Sequence, residues 1–175
     1  MNVPILETER LRLRGYRRED FPNRAKLWAD PEVVRYTSGT PLGEMDSWAR
    51  LLTIVGLWEV VGYGYWLFEE KSTGRYVGEI GFADFKREII PSFSGVPEIG
   101  WILGREFHGK GYATEGVRAA LAWGDSHFPD PRTVCIIAPE NSPSLRVAEK
   151  MGYHEYARST FRDKPIVLLE RTAKR

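Results

Sequence analysis

Phe107-His108-Gly109-Lys110-Gly111-Tyr112-Ala113-Thr114-Glu115 joins an apolar strand pattern at residues 98–103 to a helical stripe of Val117, Ala120, Leu121 and Trp123. Two glycines at a strand-to-helix junction let the backbone approach a ligand closely, and the first N–H groups of the helix have no intrahelical partner. The helix dipole adds partial positive charge, so the junction suits a pyrophosphate, with Lys110 and Arg105 able to add charge at the rim. A glycine pair alone fits a ligand-free turn equally well. Its position separates the readings. A dinucleotide fold places such a loop after the first strand of a βαβ unit, with an acid at the end of the next strand; here it comes past mid-chain, after an antiparallel hairpin pattern.

Outward from the loop, the pattern alternates between sheet and helix. Leu11 and Leu13 alternate with Arg10, Arg12 and Arg14, which predicts a half-buried strand ending near Gly15. A helix runs from Glu19 or Asp20 toward Trp28, Asp30-Pro31 breaks it, and a short helical turn follows at residues 32–34. Leu51, Leu52, Val55, Leu57 and Trp58 predict a second helix over about residues 43–60. Residues 65–70 and 76–85 are β-rich runs joined by Lys71-Ser72-Thr73-Gly74, a hairpin composition. Residues 133–138 form a continuous β-prone run, Pro139-Glu140-Asn141-Ser142-Pro143 turns it into a helix ending at Gly152, and two last strands at 153–161 and 166–169 flank Asp163-Lys164-Pro165. The expectation is one mixed α/β domain over residues 1–175, with a mostly antiparallel sheet of six to seven strands and about four helices.

Composition narrows the partners. Twenty-five basic and 24 acidic side chains give a net charge of +1, so no global field draws the chain to nucleic acid or to an anionic membrane. The arginines near the start alternate with leucines and read as a solvated strand face. No stretch of eighteen apolar residues predicts a membrane span, and residues 1–14 lack the apolar core of a signal peptide. Cys135 is the single cysteine and has no partner for an internal disulfide, which fits a reducing cytoplasm. His108, His127 and His154 lack ligand spacing, and no metal is predicted.

Three segments in order carry a family resemblance: Leu6-Glu7-Thr8-Glu9-Arg10-Leu11-Arg12-Leu13-Arg14; Glu98-Ile99-Gly100-Trp101 leading into His108-Gly109-Lys110-Gly111-Tyr112-Ala113-Thr114-Glu115; and Asn141-Ser142-Pro143-Ser144 before Glu149-Lys150-Met151-Gly152-Tyr153. Together they resemble the GNAT superfamily of N-acetyltransferases, in the RimJ and RimL branch that modifies ribosomal-protein N-termini. The resemblance implies that acetyl-CoA lies in a V between the strands at 98–103 and 133–138. It further implies that backbone groups of Trp101, Ile102 and Leu103 pair with the pantetheine arm, that N–H groups of Phe107, His108, Gly109, Lys110, Gly111, Tyr112 and Ala113 face the phosphates, that Asn141 contacts the arm from the other side, and that Ser144 sits near the sulfur. Two positions depart from the superfamily pattern: Glu106 replaces the Gln or Arg that often opens the loop, and Ala148 replaces a Tyr that protonates the departing thiolate, which leaves Ser144 as the acid, acting through water.

Attack of an amine on a thioester requires removal of an ammonium proton and stabilisation of an oxyanion. Glu98, at the start of the strand lining the V, is the preferred base, acting directly or through water, although a strand-end acid equally suits a salt bridge. Glu79, in Gly78-Glu79-Ile80-Gly81, is the second candidate; its glycines allow close substrate approach or mark a bulge. The branch resemblance implies a protein N-terminus as the acceptor, residues 35–60 as the region shaping acceptor choice, and dimers as a common assembly. Small amines, polyamines or antibiotics as acceptors, a catalytically silent acyl-CoA-binding module, and a nucleotide-binding protein using the same loop are the alternatives.

Overall fold

The leucine–arginine alternation builds strand β2 (Leu11–Arg14), in which Leu11 and Leu13 are fully buried. A computed structural model of the chain describes residues 3–173. In it β2 pairs antiparallel with a two-residue strand, β1 (Leu6–Glu7), and with β3 (Tyr65–Glu70). The remaining strands are β4 (Tyr76–Ala83), β5 (Glu98–Leu103), β6 (Arg132–Ile137), β7 (His154–Phe161) and β8 (Lys164–Thr172). They form one sheet in the order β1-β2-β3-β4-β5-β6-β8-β7, antiparallel throughout except where β5 meets β6.

The helices are α1 (Phe21–Trp28), α2 (Pro31–Val34), α3 (Glu44–Val60), α4 (Tyr112–His127) and α5 (Ser142–Lys150). The Asp30 carboxylate accepts the Glu32 N–H at 3.0 Å, so Asp30-Pro31 both ends one helix and caps the next. Val117, Ala120 and Leu121 of α4 pack with Leu11, Phe68, Ile80 and Ile99 on one face of the sheet. On the other face, Leu27 and Trp28 of α1 and Val33 and Val34 of α2 pack with Ile102, and α3 lies against α1.

Among the described residues the sheet holds eight strands, against six to seven expected, because β1 is two residues long and shows no periodicity to read. The last turn also shifts. Arg162 and Asp163 take the left-handed conformations of a two-residue hairpin, and Pro165 lies inside β8. Pairing of β8 with β6 begins only at Val167, so the missing N–H of Pro165 opens no gap in that ladder.

Candidate active site

Parallel strands β5 and β6 share a single register position, Glu98 opposite Val134, with the Val134 N–H donating to the Pro97 carbonyl at 3.1 Å. Past that point they separate, while β4 continues to pair with β5 as far as Leu103 and β8 with β6 as far as Ile137. The β6-facing edge of residues 99–103 is therefore left without strand partners inside a V. Trp101, Ile102 and Leu103 lie along that wall. At its mouth β5 runs into the glycine loop, and β6 runs into α5, which packs against α4.

The loop holds an anion-ready shape. Gly109 (φ +73°) and Gly111 (φ +80°) are left-handed, and Gly111 is the N-cap of α4. The first helical bond is from the Glu115 N–H to the Gly111 carbonyl, so the N–H groups of Tyr112, Ala113 and Thr114 have no helical acceptor. Gly109, Lys110 and Gly111 likewise donate to no backbone carbonyl among the described residues. A Cβ at Gly109 would meet open space, so its glycine serves conformation rather than packing. These groups fit a pyrophosphate. Two of the expected donors drop out: the N–H groups of Phe107 and His108 are used by the Gly104 and Arg105 carbonyls at 3.0 and 3.1 Å, because a short 3₁₀ turn precedes the glycines. Phe107 is a core residue, and the His108 ring bonds the Leu103 carbonyl at 3.0 Å, tying the loop to the end of β5. Glu106 points away to Arg75 at 3.2 Å.

The segment at the N-terminal end of the chain fixes this loop in place, a role that sequence reading missed. Glu115 accepts from the Thr8 hydroxyl (2.6 Å), the Arg10 N–H (2.9 Å) and the Arg10 guanidinium (2.7 Å). Arg10 also donates to the Lys110 carbonyl at 2.9 Å and stacks 4.5 Å over the Tyr112 ring. Burial alone raises the pKa of Glu115, and the Thr8 and Arg10 donors outweigh it and hold the carboxyl below its ordinary value.

The two candidate bases differ in what they touch. Glu79 is buried and accepts four donors: Arg24 Nε and Nη2 at 2.8 and 3.2 Å, Trp28 Nε1 at 3.0 Å and the Tyr16 hydroxyl at 2.6 Å. Four donors fill the lone pairs of a carboxylate, so Glu79 has no site left for a substrate proton. Its neighbouring glycines serve strand packing: a Cβ at Gly78 would strike the Ile102 carbonyl and one at Gly81 the backbone of Gly64 and Tyr65. Glu98, also buried, binds one residue, Arg87, through Nε at 2.6 Å and Nη2 at 2.9 Å. Each of its oxygens keeps a second lone pair. Arg87 lies between the rings of Phe85 and Phe161 at 4.8 and 4.7 Å, which sets the orientation of Glu98 at the apex of the V.

On the β6 side, Asn141 is the N-cap of α5 and its Oδ1 accepts the Ser144 N–H at 3.3 Å. That leaves the Asn141 amide NH₂ and the half-buried Ser144 hydroxyl without a bond among the described residues. Ser144 and Glu98 share no hydrogen bond and stand on opposite walls of the V. Tyr65, one of the aromatics in the hairpin region that the family resemblance associates with the acceptor pocket, puts its hydroxyl in the space that a Cβ at Gly100 would need. The register Tyr65–Gly81–Gly100 across β3, β4 and β5 brings the end of its ring to Gly100.

A parallel pair that opens after one bridge, with a glycine-capped helix at its mouth, makes this an α/β protein built to hold an extended, anionic ligand between two strands. The chain belongs to the Acetyltransferase (GNAT) domain family, which it matches over residues 10–154. It is similar to the protein YkkB of Bacillus subtilis (strain 168), 33% identical over 95% of this chain and 94% of YkkB. A GnaT-family acetyltransferase from Bordetella pertussis superposes with a TM-score of 0.85 at 30% identity, covering 97% of this chain and 99% of that one. RimL, a ribosomal L7/L12 alpha-N-protein acetyltransferase solved in complex with coenzyme A, shares the fold with a TM-score of 0.78 at 14% identity, covering 97% and 98%. The protein is thus an N-acetyltransferase that uses acetyl-CoA. Among the described residues no helix is long and apolar enough to cross a membrane, and no group of three side chains is placed to hold a metal ion.

Proposed function

We propose that the enzyme acetylates a primary amine at a protein N-terminus, with both substrates bound together and no acyl-enzyme intermediate. The observation that carries this reading is the single β5–β6 bridge at Glu98, which opens a slot lined by unpaired peptide groups and puts a buried carboxylate at its head. The pyrophosphate of acetyl-CoA sits on the N–H groups of Gly109 to Ala113, and the pantetheine arm runs along Trp101, Ile102 and Leu103 with Asn141 opposite. Likeness in fold to RimL supports an α-amine as the acceptor.

Glu98 takes a proton from the ammonium, directly or through one water, and the neutral amine then attacks the thioester carbonyl. Peptide N–H groups of β5 stabilise the oxyanion. As the tetrahedral species collapses the C–S bond breaks, its cationic nitrogen gives up the second amine proton to water, and the thiolate receives a proton from Ser144, which is resupplied by water; Glu98 returns its own proton to solvent.

Peptides with free N-termini, incubated with acetyl-CoA and read by mass spectrometry, should gain one acetyl group at the α-amine. Glu98→Gln should lower kcat by about a hundredfold or more while acetyl-CoA affinity stays the same. Equal turnover of the variant across the pH range would remove Glu98 as the base, and acetyl groups found only on small amines would overturn the acceptor.

A further inference from the structure

Helix α3 turns Ser47, Leu51, Ile54 and Trp58 inward. Arg50 falls on the same stripe, three residues after Ser47 and four before Ile54, so a cation sits on the buried face of this helix. Its guanidinium lies 4.0 Å over the ring of Trp28, a core residue of α1.

Charges in this part of the molecule do not balance. Three guanidiniums, those of Arg24, Arg50 and Arg87, face two buried carboxylates, Glu79 and Glu98. Arg24 forks onto Glu79 and Arg87 onto Glu98. Among the described residues no carboxylate lies within ion-pair distance of Arg50. Desolvation is the largest influence on Arg50 and lowers its pKa; Glu79 and Tyr65 pull the other way, and Arg24 and Arg87 add repulsion. A half-buried, unpaired guanidinium is costly unless something neutralises it.

Geometry places this cation on the face of the sheet that carries Glu98, because Trp28, which it covers, packs with Ile102 of β5. Glu98 and Gly100 share one face of β5 by the two-residue period of a strand, and Tyr65 lies over Gly100 on that face. Arg50 is within electrostatic reach of both Tyr65 and Arg87, the residues that touch Gly100 and Glu98. Ile99 and Leu103, on the opposite face, are packed into the core with α4.

We propose that Arg50 receives a carboxylate carried by the acceptor, so that the enzyme selects primary amines with an acidic group a few bonds from the nucleophile. This rests on the acetyl-transfer reading of the site and adds its acceptor chemistry. The carboxylate comes from an acidic side chain in the first residues of a protein N-terminus or from the α-carboxylate of a free amino acid, and the two sources are separable.

The test is binding to the CoA-loaded enzyme, followed by calorimetry, which requires no turnover. One arm compares hexapeptides beginning Ser-Glu and Ser-Gln and otherwise identical; the other compares serine with serinamide. The carboxylate member of one pair should bind about tenfold tighter to the wild type, since a hydrogen-bonded charge contributes on that order. The pair that shows the preference identifies the source. Arg50→Gln should reduce the preference to about twofold or less and Arg50→Lys should restore part of it. With no ligand, Arg50→Gln should melt no lower than the wild type, because it removes an uncompensated charge. Equal binding within both pairs in the wild type, or a preference that survives Arg50→Gln, overturns the proposal. Acetylation of the same compounds is scored separately: carboxylate-dependent binding without acetyl transfer would overturn the acceptor reading above and leave the role of Arg50 standing.

Discussion

Glu79→Gln removes the charge that four donors surround while keeping the side-chain volume. Arg24 has no exposure to solvent and its Nη1 is already used by the Ser47 carbonyl at 2.8 Å, so its guanidinium has no alternative carboxylate to turn to. The Gln amide offers one oxygen to donors that filled two, and its NH₂ group faces N–H groups. Breaking a buried pair by removing one partner costs about 3–5 kcal/mol. For a chain of this length each kcal/mol lowers the melting temperature by about 2–4 °C, so the variant should melt about 12 °C lower. Thermal unfolding at neutral pH, followed by circular dichroism, reads this directly, and turnover is measured well below the lowered transition. A structural role predicts a low melting temperature with turnover largely kept in the folded fraction. A melting temperature within about 3 °C of wild type, set against the range just given, would refute the uncompensated-charge argument. A stable variant that has lost turnover would make Glu79 the base and remove Glu98.

Gly111→Ala forces a Cβ onto a residue at φ +80° and places it 3.4 Å from the Arg10 guanidinium. The left-handed conformation costs an L-residue about 1–2 kcal/mol, so acetyl-CoA affinity should fall by about tenfold as the loop relaxes; an unchanged dissociation constant would detach this loop from the pyrophosphate. Glu115 has a folded-state pKa below its ordinary 4.5, so its contribution to stability is complete above that value and is lost as pH falls through the folded pKa. Glu115→Gln should therefore destabilise the protein at pH 7 and flatten the acid limb of its stability curve, and an acid limb identical to that of wild type would show that the lock on Thr8 and Arg10 contributes nothing. Ser144→Ala should leave the melting temperature alone, because the cap uses the Ser144 N–H rather than its hydroxyl, and should lower kcat by about tenfold or more. Full turnover in that variant would assign the proton to solvent.

The parts of this fold that local chemistry dictates were legible in the sequence. Alternation at Leu11 and Leu13, the Asp30-Pro31 break and the glycine loop each need only near neighbours to be read. What stayed hidden depends on residues far apart in the chain. Thr8 and Arg10 lock a loop about a hundred residues away, and Tyr65 reaches Gly100 only through the register of three strands. Arg50 is an intermediate case: its spacing from Ser47 and Ile54 was available as a charge on an apolar stripe, but its lack of a carboxylate partner was not.

The two acids make the same point about chemistry. Gly78-Glu79-Ile80-Gly81 and Glu98-Ile99-Gly100 look alike as sequence, each an acid among glycines and isoleucine in a strand that faces the same side of the sheet. They diverge only when donors are counted. Glu79 receives four, from α1 and from the segment that follows β2, because Arg24, Trp28 and Tyr16 converge on it across 51 to 63 residues. Glu98 receives two, both from Arg87 eleven residues before it, and its free lone pairs lie where β5 and β6 begin to part. A saturated carboxylate is a structural anchor, and a half-satisfied one at the head of an open slot is able to take a proton. The different surroundings of two nearly identical motifs are therefore set by residues far from either one in local pattern, Tyr16, Arg24 and Trp28 for Glu79 and Arg87 for Glu98.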